Sequence, residues 1–392
     1  MQQERRAQRA ARFGTTIFTE MTALAQAHSA INLGQGFPDF ASPAFVRDAA
    51  VQALVADKNQ YAPMPGLPRL RQAVAAQWQH DTGRAVDWQH EVTVVSGATE
   101  GICDLMLALL DPGDRAIVIE PAYDSYIPCI TMAGGVPLVA TLRPPQGDTG
   151  WELDAAELRA LFAQRPKVIL INTPHNPTGK VFRHAELQLI ADLCVEYDVI
   201  AVADEVYDRL VFDDAVHVRL AELPGMWQRT VSLNSIGKTF SVTGWKIGWA
   251  VGPADLNAAI RAVHQWSTFA TATPLQDAAA AALEHAMTSE YYAQLRSEYM
   301  ARRALLRAAL AGADLAVLPA NGSFFLSAQI GDQTAGDDRA FCRWLTSEVG
   351  VAAIPLSAFY SEASRALHVA RFCFAKRDET LLAAAERLKR LG

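Results

Sequence analysis

The sequence is short of several features that define special protein classes. No stretch approaches the ~20 apolar residues that cross a bilayer. The charged start, MQQERRAQRAARFG, is followed by no apolar segment of signal length. A short basic start can resemble an organelle-targeting segment, but Glu4 and the early return to core-like sequence weigh against it. The cytoplasm is therefore the expected compartment, with no membrane partner. Cysteines number five (Cys103, Cys129, Cys194, Cys342 and Cys373), widely spaced and without a C-x-x-C pair. That pattern points to buried reduced thiols, and no metal site is expected. Positive charge is not in excess: 35 Lys and Arg stand against 42 Asp and Glu, a net charge of −7. A nucleic-acid partner, which favours a basic face, is not expected. Internal repeats and low-complexity tracts are missing too.

What is present is enough apolar material for a large core. Hydrophobic residues make up 51% of 392, a length that suits two or three domains or one large domain with an appendage. Short β-branched runs at Val92–Val95, Ala116–Ile119, Val168–Ile171, Val199–Val202 and Thr230–Leu233 read as strands buried on both faces. Helical patterns at Thr99–Leu110, Ala185–Tyr197 and Pro253–Trp266 alternate with them. This rhythm predicts an α/β fold with a mainly parallel sheet. Near the start, Ser42 is expected to N-cap a helix with Pro43 at its first position. A charged helix from about Tyr291 to Leu310 precedes short strands at Ser323–Ala328, Val351–Ile354 and Ala370–Phe374, then a closing helix at Asp378–Arg390. These predict a smaller α+β domain. The expected division is an N-terminal arm with part of the small domain over 1–40, a large domain over 41–290 and the small C-terminal domain over 291–392.

The stretch SLNSIGKTFSVTGWKIGW, 232–249, raises the central chemical question. Gly237-Lys238-Thr239 ends like a nucleotide-binding P-loop, yet Ser232 stands where that loop requires its first glycine. The other reading makes Lys238 a Schiff-base lysine. An amine attacks a carbonyl only when neutral, and lysine ordinarily titrates near ~10.4, so the site must favour the uncharged form. Ser235 and Lys246 would then hold a phosphate.

Other motifs fall at strand ends. VVSGATEG, 94–101, passes from strand to helix with little side-chain bulk at Gly97 and Ala98 and a hydroxyl at Thr99, an anion-binding arrangement. By itself it reads more readily as an ordinary strand-to-helix turn with a threonine cap. INTPHNPTGK, 171–180, follows a buried strand, as a ligand-facing loop does in open α/β sheets. The Asn176 amide there can donate to a phenolate-like oxygen. In ADEVYDRL, 203–210, Asp204 ends another apolar run, where a protonated ring nitrogen is a sensible partner for a buried carboxylate. Tyr207 can reach the same oxygen as Asn176, although Asp204 alone could simply cap a helix. In EPAYDSY, 120–126, Tyr123 can stack on a flat ring. Arg371, read at the start of a strand in RFCFAK, offers a bidentate fork for a carboxylate.

Taken in order, INLGQGFPDF, NQYAPMPGLPRLRQAVA, SGATE, EPAYDSY, NTPHNPTGK, ADEVYD, SIGKTFSVTGWKIGW, AIPLSAFY and RFCFAK resemble the fold-type I pyridoxal-phosphate enzymes of aminotransferase class I/II. The likeness runs through nearly the whole chain. Within the family it is greatest to the bacterial methionine aminotransferases, then to the kynurenine aminotransferase and glutamine transaminase K group. The resemblance implies pyridoxal 5′-phosphate as cofactor and amino acids and 2-oxo acids as substrates in a ping-pong reaction. It implies Lys238 as the lysine joined to the cofactor and Asp204 as partner of its ring nitrogen. Asn176 and Tyr207 would face the ring oxygen, Tyr123 would stack, and Ala98, Thr99, Ser235 and Lys246 would cup the phosphate. Arg371, Asn176 and the Gly36 backbone would hold the substrate α-carboxylate. Tyr61 resembles a tyrosine that reaches the phosphate of a partner subunit, which implies a homodimer with shared sites.

No second arginine for a distal carboxylate can be placed. Phe18 and Phe269 read instead as walls of an apolar pocket suited to methionine, aromatic amino acids or glutamine. Kynurenine–oxoglutarate transamination and cysteine-S-conjugate β-elimination are the alternatives on the same residues. A regulator with an aminotransferase-like domain needs a DNA-binding module, and only about 30 residues precede INLGQG.

Overall fold

The computed structural model describes residues 6–146, 149–331, 334–362 and 368–391; Glu4 lies outside them. The apolar runs become neighbours in one eight-stranded sheet. Its order is Val92–Val95, Gly248–Val251, Thr230–Ser235, Ile200–Asp204, Val168–Asn172, Arg115–Glu120, Val136–Arg143, Glu152–Leu153. The four pairings through the centre are parallel. The remaining three, which involve Gly248–Val251 and the short Glu152–Leu153, are antiparallel.

The period-2 geometry of a strand explains why these runs are apolar throughout. Ile117, Ile119, Ile169, Ile171 and Ala201 enter one core cluster, while Ala116, Val118, Val168, Leu170 and Val202 enter another. Alternate side chains thus feed cores on opposite faces, and both must be dry. Helix His184–Tyr197 contributes Leu187, Ile190 and Leu193 to the first cluster. Helices Ala98–Leu109 and Ala254–Ser267 contribute Ile102, Leu105, Leu256 and Ile260 to the second.

The chain steps outward from Arg115–Glu120 to Val136–Arg143. It then crosses back to Val168–Asn172 and continues the other way to Ile200–Asp204 and Thr230–Ser235. Strand order therefore reverses between Arg115–Glu120 and Val168–Asn172, and open α/β sheets bind ligands at the carboxyl ends of strands beside such a reversal.

A four-stranded antiparallel sheet follows, ordered Ala316–Val317, Phe325–Gln329, Val369–Cys373, Ile354–Pro355. The 21-residue helix Tyr291–Ala311 packs on helix Asp378–Leu388 and on this sheet. The expected strand at Val351–Ile354 is in fact two. Val351–Ala352 pairs with Ile31–Asn32, and Ile354–Pro355 joins the four-stranded sheet, so neighbouring pairs serve different sheets.

The first helix after the N-terminal segment also differs from expectation. It spans Ala44–Val55 with Pro43 at its N-cap and no side-chain cap. The Ser42 carbonyl instead accepts from the Arg47 guanidinium. Arg371 sits third in Val369–Cys373, not at its start. Among the described residues, no helix is long and apolar enough to cross a membrane.

Candidate active site

A cavity of about 320 Å³ opens at the carboxyl ends of the central strands. That is the size of a small-molecule site. Lys238, Asp204, Tyr207, Asn176, Tyr123, Ala98, Thr99, Ser235, Lys246, Gly36, Phe18 and Arg371 all line it. Tyr61 and Phe269 do not line it. They meet edge-to-face on the surface, ring centroids 5.3 Å apart, both exposed.

Lys238 lies in the four-residue helix Ile236–Thr239, which caps the strand Thr230–Ser235. Its Nζ donates to the Gly36 carbonyl at 3.1 Å. Burial penalises the ammonium, and nearby Arg371 and Lys246 add to the effect, so its pKa falls to about 8 despite the opposing charge of Asp204. The chain then turns into the antiparallel strand Gly248–Val251. A P-loop leads into a long helix whose start cradles phosphate; this geometry excludes that reading.

Asp204 ends its strand buried, and burial raises its carboxyl to about 6. The Tyr126 hydroxyl donates to Oδ2 at 2.6 Å. Asn172, the residue paired with Asp204 across the sheet, donates its side-chain amide to the Asp204 carbonyl at 2.9 Å. The Asn172 Oδ1 in turn accepts from the Asn176 backbone at 2.6 Å, which fixes the loop that carries Asn176.

Arg371 is 1% exposed, yet no ion pair joins it among the described residues. It donates to Asn176 Oδ1 at 2.8 Å and to the Gly34 carbonyl at 2.8 Å. Its Nε has no partner among the described residues. The guanidinium lies 3.9 Å from the Phe325 centroid, 4.9 Å from that of Phe359 and 5.3 Å from that of Phe18. Burial pulls its pKa down to about 10. A buried cation hydrogen-bonded to neutral groups, with the Asp124 carboxylate acting on it without forming an ion pair, is costly, and a carboxylate entering the cavity supplies the ion pair that is missing. Because Asn176 spends Oδ1 on Arg371, its Nδ2 is left as the donor.

At the opposite wall, Gly97 has φ +78° and precedes the helix Ala98–Leu109. A Cβ there would stand 3.0 Å from the Lys246 Nζ. Lys246 itself takes the left-handed conformation, φ +55°. Backbone N–H groups at a helix start, the Thr99 and Ser235 hydroxyls and an ammonium thus share one wall, which is the chemistry of an anion cradle. Tyr123 lines the cavity half-buried, and desolvation raises its phenol. Tyr207 is buried with its ring centroid 5.6 Å from the Lys238 Nζ.

Sequence reasoning does not single out Asn172, Tyr126, Asp124, Gln35 or Phe325. Asn172, Tyr126, Asp124 and Gln35 carry a signal, since each stands within a motif quoted above. Phe325 carries none, because it arrives from the other sheet.

The sheet order and this lining define an aminotransferase of fold type I. The family model for class I and II aminotransferases matches residues 28–388, and the chain belongs to that family. It is 40% identical to methionine aminotransferase of Escherichia coli over 96% of each chain. A solved methionine aminotransferase from that organism superposes with a TM-score of 0.94 at 39% identity, covering 99% of this chain and 100% of that one. It is 43% identical to a probable N-succinyldiaminopimelate aminotransferase of Mycobacterium tuberculosis over 97% of each chain. It is 39% identical to kynurenine–oxoglutarate transaminase 1 of Rattus norvegicus over 95% of each.

Proposed function

We propose that this aminotransferase uses pyridoxal 5′-phosphate to move the α-amino group of methionine, and of aromatic amino acids or glutamine, to a 2-oxo acid. The observation that carries the reading is Arg371, a buried fork without a carboxylate partner, in the same cavity as the Lys238 amine. The lining fits the cofactor. The wall of Gly97, Ala98, Thr99, Ser235 and Lys246 suits its phosphate, and Tyr123 offers a stacking face. Asp204 suits a protonated ring nitrogen, and Asn176 and Tyr207 suit the ring oxygen. When bound, the cofactor supplies an electron sink for the charge left on Cα.

The chain's own residues do the rest. Arg371, with Asn176 and the Gly36 backbone, fixes the α-carboxylate and so orients the Cα–H bond. Lys238 Nζ, free to act when uncharged, would take the Cα proton as general base and pass a proton to the cofactor carbon in the same half-reaction; with an incoming 2-oxo acid the two transfers would run in reverse, and Lys238 would protonate Cα. The Tyr126 hydroxyl keeps Asp204 in place. Phe18 and Phe325 give the substrate side chain an apolar wall. The similarity to a methionine aminotransferase supports methionine as donor. Exposed Tyr61 and Phe269 support a homodimer in which these rings face the partner's site. The same reading keeps residues 41–290 as the cofactor-binding domain and 291–392 as the small domain, in a cytoplasmic enzyme.

Absorption spectroscopy tests the proposal. The protein loaded with cofactor should lose its visible band on addition of methionine and regain it on addition of a 2-oxo acid. A band indifferent to methionine, phenylalanine and glutamine alike would sink the substrate assignment.

The cradle gives a second prediction. Gly97→Ala forces a Cβ onto Lys246 at a positive φ. Such strain costs ~1–3 kcal/mol, and the displaced ammonium loses a charge-assisted bond to phosphate. Equilibrium dialysis should show cofactor binding weakened about tenfold or more.

A further inference from the structure

The cavity contains one charged group that the proposed chemistry leaves unused. Asp124 follows Tyr123 in the turn after the strand Arg115–Glu120 and lines the cavity. Its carboxylate accepts from its own backbone N–H, and among the described residues no other side chain hydrogen-bonds or ion-pairs with it. Burial works against its charge, while Arg371 favours it.

The cations in the lining are Lys238, Lys246 and Arg371. In the aminotransferase reading each is committed, to the cofactor aldehyde, the phosphate and the α-carboxylate. The substrate's side chain is left with acceptors and apolar rings. Gln35 spends its amide N–H on the Phe18 carbonyl at 3.4 Å and on the Thr22 hydroxyl, which leaves it Oε1 as an acceptor. Phe18 and Phe325 offer no charge. A second carboxylate entering here would lose its hydration, meet no free cation of the cavity lining and stand near a like charge, an arrangement that selects strongly against a ligand.

We propose that Asp124 is a specificity-determining residue that closes the cavity to amino and 2-oxo acids bearing a distal carboxylate, leaving neutral side chains as the substrate class. This rests on the aminotransferase reading of the cavity and deepens it. Methionine, aromatic residues and carboxamides pass such a filter. Glutamate, aspartate and their oxo acids do not.

Two measurements on the cofactor-loaded protein test the filter. In the first, kcat/KM is measured for glutamate and for methionine in the wild type and in Asp124→Asn. The glutamate-to-methionine ratio should rise at least about tenfold in the variant, whatever happens to the absolute rates. In the second, the unreactive dicarboxylate glutarate is titrated by calorimetry, which requires no turnover. Asp124→Asn should bind it at least about tenfold more tightly than the wild type. Should Asp124→Asn fail to fold by circular dichroism, Asp124→Ser takes its place in the same titration. Glutarate binding no tighter in the variant, or an unchanged ratio, overturns the proposal. A wild type that transaminates neither donor would instead overturn the substrate reading above, while the glutarate titration would still report on Asp124.

Discussion

Lys238→Ala lowers turnover of methionine by about 10,000-fold or more, the upper range for removal of a positioned general base. The loss is large because one nitrogen carries two duties, capture of the cofactor aldehyde and proton transfer at Cα. The site prepares that nitrogen by desolvation, which brings its pKa to about 8, so a useful fraction is uncharged near neutrality. The Gly36 carbonyl accepts one hydrogen bond from it at 3.1 Å and holds it toward the cavity. Stopped-flow spectroscopy and steady-state assays with the alanine variant check the expectation, together with borohydride reduction and peptide mapping. Wild-type protein should yield a pyridoxyl adduct at Lys238 and the variant none. Turnover within tenfold of wild type in the variant would refute the assignment of the base.

Arg371→Ala is the second large effect. The guanidinium is buried among Phe18, Phe325 and Phe359 and hydrogen-bonds to neutral partners, with no ion pair among the described residues, so a substrate carboxylate brings an opposite charge into contact. Removing one member of a buried charge pair costs ~2–5 kcal/mol, or roughly 30- to 4,000-fold in kcat/KM at ~1.4 kcal/mol per decade. The cost falls on every amino acid alike, because all share the α-carboxylate. It also releases Asn176 from its 2.8 Å bond, so its amide loses its fixed orientation. Arg371→Lys recovers only part of the loss, since an ammonium cannot present a planar fork. Kinetics with methionine, phenylalanine and glutamine check both variants. A loss confined to one substrate would show that Arg371 reads side chains and not the shared carboxylate.

Much of the fold is legible in the amino-acid pattern. The core strands are visible because a strand covered on both faces must be apolar at every position, as in Val168–Ile171. Strands toward the two margins of the sheet are harder. Val136–Arg143 is largely half-exposed and carries Pro137, so no continuous apolar run marks it. Gly248–Val251 is hidden inside the lysine motif, whose loop-like residues mask a four-residue return strand. The pair Val351–Ala352 and Ile354–Pro355 reads as one run because local pattern says nothing about which sheet a residue joins.

The functional residues follow the same division. Sequence alone determined their chemical kinds and their place in short motifs: Lys238, Asp204, Asn176, Tyr207 and Arg371 each stand in one with its own local logic. Only the folded chain decided that these segments converge. Ion pairs, burial and pKa depend on distance in space, and residues such as Arg371 and Asn176, or Lys238 and Gly36, stand 195 and 202 positions apart along the chain. The juxtaposition of Arg371 and Asp124, a buried fork and a half-buried carboxylate that act on each other in one cavity without forming an ion pair among the described residues, exists only in that geometry. Its cost arises from desolvation, which no property of a lone residue type encodes.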